Sequence, residues 1–252
     1  MKGITMKKFC LLLLLTFVCT GVSHTYADDY GNLTGKIIYK GEAPATTLIN
    51  VAGKDPAVCG VKPIFSEELV VDPATGGIAN CIIWLKNTPA NIHPSLKEPA
   101  KKEVKFDNIN CVFVPHCLVV QTTQAVHGVN SDACSHNIKT NMMKNKGENP
   151  ILGPNNQEGH LFTFTTKEIV PMSVECSIHA WMRAHWLVID HPYAVVTDKE
   201  GKFEIKNLPV GEHTLMIWQE KAGLKIKRNL KVNIEAGKTT DITVEADAAA
   251  FN

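Results

Sequence analysis

Beyond residue 27 this chain has no long apolar run and no segment with a sustained 3.6-residue apolar period. Neither a membrane-spanning helix nor a helical bundle is expected there. Charge is balanced as well, with 26 basic against 25 acidic residues. Without a basic field a nucleic-acid partner is not expected, and no run of acids marks a dedicated cationic one. None of the ten histidines makes the His-x-His pair of a multi-copper cluster. The Cys-x-x-Cys-His of covalent haem attachment is missing too. No nucleophile–base pair is legible, so we expect no enzyme.

What is present begins with an export signal. Lys2, Lys7 and Lys8 precede an almost wholly apolar stretch over residues 9–22, and Thr25-Tyr26-Ala27 supplies the small residue a signal peptidase needs. We expect cleavage after Ala27 and a periplasmic or secreted protein. Cys10 and Cys19 leave with the signal, so Cys59, Cys81, Cys111, Cys117, Cys134 and Cys176 remain. Export places them where disulfides persist.

Short runs rich in β-branched and aromatic residues dominate the rest: 37–39, 69–71, 81–85, 112–114, 118–120, 126–129, 161–164, 170–174 and 186–189. Asp72-Pro73, Gly76-Gly77 and clusters of Pro, Asn and Lys separate them. After Asp190 apolar and polar residues alternate, with turns at 198–201 and 208–211, as in sheets with one solvated face. The fold class is therefore all-β. Residues 139–159 read as a long surface loop and 246–252 as a frayed tail.

One constellation carries chemistry. Cys176, His179 and Met182 follow one another as Cys-x-x-His-x-x-Met, and His136 stands about forty residues upstream of Cys176. Together they offer one thiolate, two imidazoles and one thioether. That is the ligand set of a blue-copper electron-transfer site, with His, His and Cys in a trigonal plane and a weak axial Met. With Cys176 on a metal, five cysteines remain and an odd number cannot all pair. We expect Cys59 to pair with Cys111 and at least one thiol to stay free or to pair between molecules.

Residues 112–115, 130–132 and His136-Asn137 resemble the strand–turn–strand that leads to the first copper histidine of plastocyanins. The short Cys-x-x-His-x-x-Met loop resembles that of amicyanin. The resemblance covers roughly residues 78–190 and implies a Greek-key cupredoxin sandwich holding one copper ion. It further implies that the backbone N–H of Asn137 donates to the Cys176 sulfur and tunes the metal. The chain departs from the pattern at Ala180, where similar proteins often have Pro, and at Cys134-Ser135, where Cys134 is a rival ligand.

Residues 35–39, 198–203 and 208–211 resemble a carboxypeptidase regulatory-like β-sandwich, a smaller module without catalytic residues. We expect it over residues 28–77 and 191–252, with the cupredoxin domain over 78–190 inserted into it or packed beside it. The pairing resembles bacterial secreted proteins of the methylamine-utilisation type. The expected function is single-electron transport between donor and acceptor redox proteins, with the solvent-side imidazole of His179 as the electron port. Trp181 reads equally as a docking surface or a core residue. His116 reads as a strand residue with a satisfied hydrogen bond, and His185 and His191 as minor candidates for a proton or second-metal role. The rival readings are copper storage or delivery, and a structural or adhesive secreted protein without redox activity.

Overall fold

The computed structural model describes residues 29–51 and 53–252, so the expected signal peptide lies outside the described residues. Among the described residues no helix is long and apolar enough to cross a membrane. The architecture is all-β. The chain opens with β1 (Tyr30–Lys40), a single helical turn α1 (Pro56–Cys59) and β2 (Ile82–Leu85). Next come β3 (Glu103–Ile109), β4 (Val112–Val114), β5 (Cys117–Gln121), β6 (Ala125–Asn130) and β7 (His136–Asn137). They are followed by β8 (Lys139–Thr140), β9 (Ile151–Leu152), β10 (His160–Thr163), β11 (Met172–Glu175) and β12 (Arg183–Ile189). The chain closes with β13 (Ala194–Val196), β14 (Lys202–Pro209), β15 (Gly211–Gln219), β16 (Gly223–Ile234) and β17 (Thr239–Asp247).

Two sheets, ordered β10-β6-β3-β4 and β5-β12-β11-β8, enclose one core built on Phe106, Phe162, Val174 and Trp186. Two more, ordered β14-β1-β17 and β13-β2-β15-β16, enclose a second core around Leu33, Ile37, Ile83, Leu215 and Ile217. A third apolar layer joins them, with Ile82, Trp84, Met216 and Trp218 against Cys117, Leu187 and Ile189.

That layering explains which strands are apolar without interruption. Successive strand residues point to opposite faces. Ile83 and Leu85 of β2 therefore enter one core while Ile82 and Trp84 enter the joining layer. β15 divides Leu215 and Ile217 from Met216 and Trp218 in the same way. β12 sends Ala184, Trp186 and Val188 inward and Leu187 and Ile189 to the joint. Strands covered on both faces read as continuous hydrophobic runs, and strands with one wet face alternate. β14, β16 and β17 alternate.

Three features differ from the sequence reading. β2 lies within the stretch expected to be cupredoxin, yet it hydrogen-bonds to β13 and β15. Residues 139–159 are not a bare loop, because β8 joins β11 and β9 joins β7. The chain end is not frayed: Phe251 is buried and its ring lies 5.3 Å from that of Tyr39. A lone aromatic after a run of alanines gave no periodicity from which to read this.

The excursion over 139–159 continues into a hairpin-like return anchored by Glu168. Its buried carboxylate accepts the backbone N–H groups of Met143, Lys144 and Asn145 at 2.9–3.3 Å. Burial pushes this carboxyl up, but the amide donors outweigh it and hold it below its ordinary value. A carboxyl lowered by folding contributes stability above its unfolded pKa and loses it as pH falls through the folded one. Glu168→Gln is expected to cost about 2 kcal/mol at pH 7, the worth of charge-assisted bonds to backbone. Below the unfolded value of 4.5 the deficit should shrink toward zero. Urea titrations from pH 3 to 7 measure it, and a deficit independent of pH would refute the assignment.

Candidate metal centre

The hairpin of β11 and β12 builds most of the site. Its final cross-strand pair is Glu175 with Arg183, so residues 176–182 form the tip. The tip is closed by two backbone bonds, Cys176 N–H to the Met182 carbonyl at 3.2 Å and Met182 N–H to the His179 carbonyl at 2.9 Å. A turn this tight brings Cys176 and His179 to the same side. His136 arrives on β7, which is held by β9 through the pair His136 with Leu152.

Three donors meet there. His136 Nδ1 lies 3.0 Å from His179 Nδ1, and the Cys176 sulfur lies 4.0 and 3.9 Å from them. A single ion with bonds of about 2.0 Å to nitrogen and 2.3 Å to sulfur fits a triangle of those edges. Every corner is almost fully buried. Met182 is buried in the same apolar cluster as Cys176.

Neighbouring groups fix the orientation of each donor. Asp132 accepts from His136 Nε2 at 2.9 Å and from the backbone N–H groups of Asn110 and Cys111 at 2.6 and 2.8 Å. With Nε2 so engaged, Nδ1 is the nitrogen presented to Cys176. The Asn137 carboxamide oxygen accepts from the N–H of Ser177 at 2.8 Å and of Ile178 at 3.3 Å, clamping the ligand loop to β7. It also accepts from the Cys176 thiol at 3.4 Å.

Burial pushes the Cys176 thiol up, but His136 and the backbone amides of Asn137, His179 and Ile178 more than offset it. The thiol ends below its ordinary value, which favours the metal-binding thiolate. The backbone N–H of His179 donates to the Cys176 sulfur at 3.4 Å, and Asn137 contributes a side chain that sequence reasoning did not assign. Burial lowers His136, yet Asp132 and Cys176 raise it overall. Burial lowers His179 despite Asp55.

One expectation is overturned. His179 is not a solvent-side port: it is 0% exposed. Its outer nitrogen, Nε2, lies 2.9 Å from Asp55 Oδ2. Asp55 immediately precedes α1, in a left-handed conformation with φ 42°. That turn is fixed to the β3–β4 corner by the disulfide Cys59–Cys111, the pairing expected from the sequence. Trp181 is half-buried, with its indole N–H on the Cys111 carbonyl at 3.0 Å and its ring 5.1 Å from His179. The segment around residue 55 carried no metal-site signal, since its residues reach the site only through the fold.

Cys134 does not join the triangle. Its sulfur faces the other edge of His136, 3.4 Å from Nε2, and sits 3.9 Å from the Cys111 sulfur. Burial and the nearby Asp132 push this thiol up to about 11. Cys81, Cys117, Cys134 and Cys176 are the unpaired cysteines among the described residues.

No family model and no curated sequence matches the chain. Solved structures do. A Cu-containing nitrite reductase from Thermus scotoductus SA-01 is 21% identical over 36% of this chain, with a TM-score of 0.32. This chain spans only 23% of that one's length. A mutant of amicyanin, in its reduced Cu(I) form at pH 4, is 20% identical over 36% of this chain and 86% of its own, with a TM-score of 0.31. A purple cupredoxin from Nitrosopumilus maritimus is 20% identical over 35% of this chain and 99% of its own, with a TM-score of 0.29. Likeness at that level decides nothing about this chain's function.

Proposed function

We propose that this chain is a type 1 copper protein that carries single electrons between partner redox proteins. His136, Cys176 and His179 would hold the ion, and the buried Met182 would offer a further soft thioether donor. The observation that carries the reading is the triangle of two Nδ1 atoms and one sulfur with edges of 3.0, 4.0 and 3.9 Å. Copper in such a set supplies a one-electron couple. The protein's own task is to hold the donors still: Asp132 turns His136, Asn137 clamps residues 176–178, and two strand pairs fix the rest. A rigid donor frame limits rearrangement between oxidation states.

A buried His179 under Asp55 argues against the delivery reading, which needs an open site for exchange. Electrons would instead pass across the cap, where the Asp55 side chain is 45% exposed. We also take the sheets containing β1 and β15 as a second, regulatory-like sandwich, and the chain as periplasmic or secreted, in keeping with its disulfide.

The test is the optical and EPR spectrum of the chain after adding Cu(II), beside Cys176→Ser. An intense red thiolate-to-copper band, lost in the variant, is expected. A colourless wild type whose copper is stripped by mild chelation would sink the reading and leave a structural role.

A further inference from the structure

A second cluster of metal donors lies where the two cores meet. One ring nitrogen each of His116 and His185 and the sulfur of Cys117 lie within 4.8 Å of one another, all buried. His116 precedes β5, Cys117 opens it, and His185 pairs with Cys117 across the parallel β5–β12 ladder. Glu220 comes from the opposite side, in the turn after β15. Its Oε2 lies 2.7 Å from His116 Nε2 and 3.8 Å from His185 Nδ1.

Two of these imidazoles are incompletely satisfied. Nδ1 of His116 and Nδ1 of His185 are buried and make no hydrogen bond among the described residues. Glu67 Oε2 stands 3.5 Å from the first, outside bonding geometry. Buried polar atoms without a partner are uncommon and call for an occupant. A cleft of about 290 Å³, lined in part by Glu67, His116, Arg183 and Glu220, leads to the cluster.

Here the structure assigns a second metal site: we propose that His116, Cys117, His185 and Glu220 bind one zinc-class divalent cation that staples the two sandwiches together. Two nitrogens, one sulfur and one carboxylate oxygen are donors zinc accepts, in four-coordinate sites. Ligand atoms around such an ion lie about 3.3–3.7 Å apart, so the 2.7 Å contact of Glu220 with His116 must open while the donors of His116, Cys117 and His185 close in by about 1 Å. Glu220 and Glu67 supply negative charge for a cation.

In the metal-free chain the same groups settle as an ion pair. Burial lowers His116, but Glu220 and Glu67 raise it overall, whereas burial takes His185 down to about 4. Burial and the nearby Glu220 push the Cys117 thiol well above its ordinary value. A bound cation reverses that and expels the thiol proton to solvent. The Arg183 guanidinium lies in the same cleft but pairs outward with Glu175 at 4.0 Å.

The site shares no ligand with the copper centre, so the two are tested separately. The Cys176→Ser chain, metal-free, is titrated with Co²⁺ and then with Zn²⁺. One Co²⁺ per chain is expected, with a thiolate-to-cobalt band that Zn²⁺ abolishes. Adding Cys117→Ser should remove the band, and Glu220→Gln should weaken binding 10–100-fold. Near-UV circular dichroism confirms that each variant is folded, and should Cys117→Ser fail this, Glu220→Gln decides. No Co²⁺ bound to Cys176→Ser, a band indifferent to Cys117→Ser, or an affinity indifferent to Glu220→Gln would each overturn the proposal and leave the ion pair alone.

Discussion

Cys59→Ala combined with Cys111→Ala should lower stability by about 4 kcal/mol, the loop-closure entropy of a bridge this long. The two cysteines are 52 residues apart, so reduction frees a large ensemble in the unfolded state. A local effect should accompany the global one. Asp55 is four residues from Cys59 and closes over His179. Without the bridge the cap hangs from the short Leu48–Phe65 pairing and the Ile49–Ile64 and Thr47–Ser66 backbone bonds. Copper loss to a chelator should then quicken at least tenfold. Urea midpoints measure the first effect and chelation half-times the second. A lower midpoint with an unchanged half-time would mean that the cap stays in place without its bridge.

Trp186→Ala should cost about 3–5 kcal/mol, the range for emptying a buried aromatic site. The ring is fully buried and meets Phe106 and Phe162 edge-on at centroid distances of 4.8 and 5.2 Å. Its indole N–H makes no hydrogen bond among the described residues. The loss is therefore one of packing, with no stranded polar partner on the other side. Trp186→Phe keeps an edge-on ring and discards an unsatisfied N–H, so it should recover more than half of the loss. Equal destabilisation of both variants in urea would show that the indole's size, not its aromatic contacts, holds the core.

The candidate donors were legible because their chemistry is local. Cys176, His179 and Met182 lie within seven residues, and one turn is enough to gather them. The strands of the cores were legible for a similar reason: β2, β12 and β15 announce burial on both faces through unbroken apolar runs. The cap was not legible. Asp55 and His179 are 124 residues apart, and no pattern around residue 55 distinguishes a carboxylate over a metal site from one on a surface turn. β3 was missed because its buried centre, Phe106 to Asn108, is partly polar. Asp107 and Asn108 satisfy Ser131 and the Val129 carbonyl there, which only the parallel β3–β6 ladder arranges.

The parallel ladder between β1 and β17 has a consequence for how the chain comes to be folded. Asn32 faces Thr239, and Lys40 faces Asp247. Among the described strands β1 is made first and β17 last, so the edge of β1 that meets β17 waits for roughly 200 residues, about 10–40 seconds at ordinary rates of translation. Residues 103–189, by contrast, carry both sheets of the donor site in one unbroken stretch and have no such wait. Through that interval one edge of β1 stays open, a template for pairing with another nascent chain, while β14 closes the other once residues 202–209 are made. Its lysines, Lys36 and Lys40, set charge on the YGNLTGKIIYK strand while that edge is unpaired.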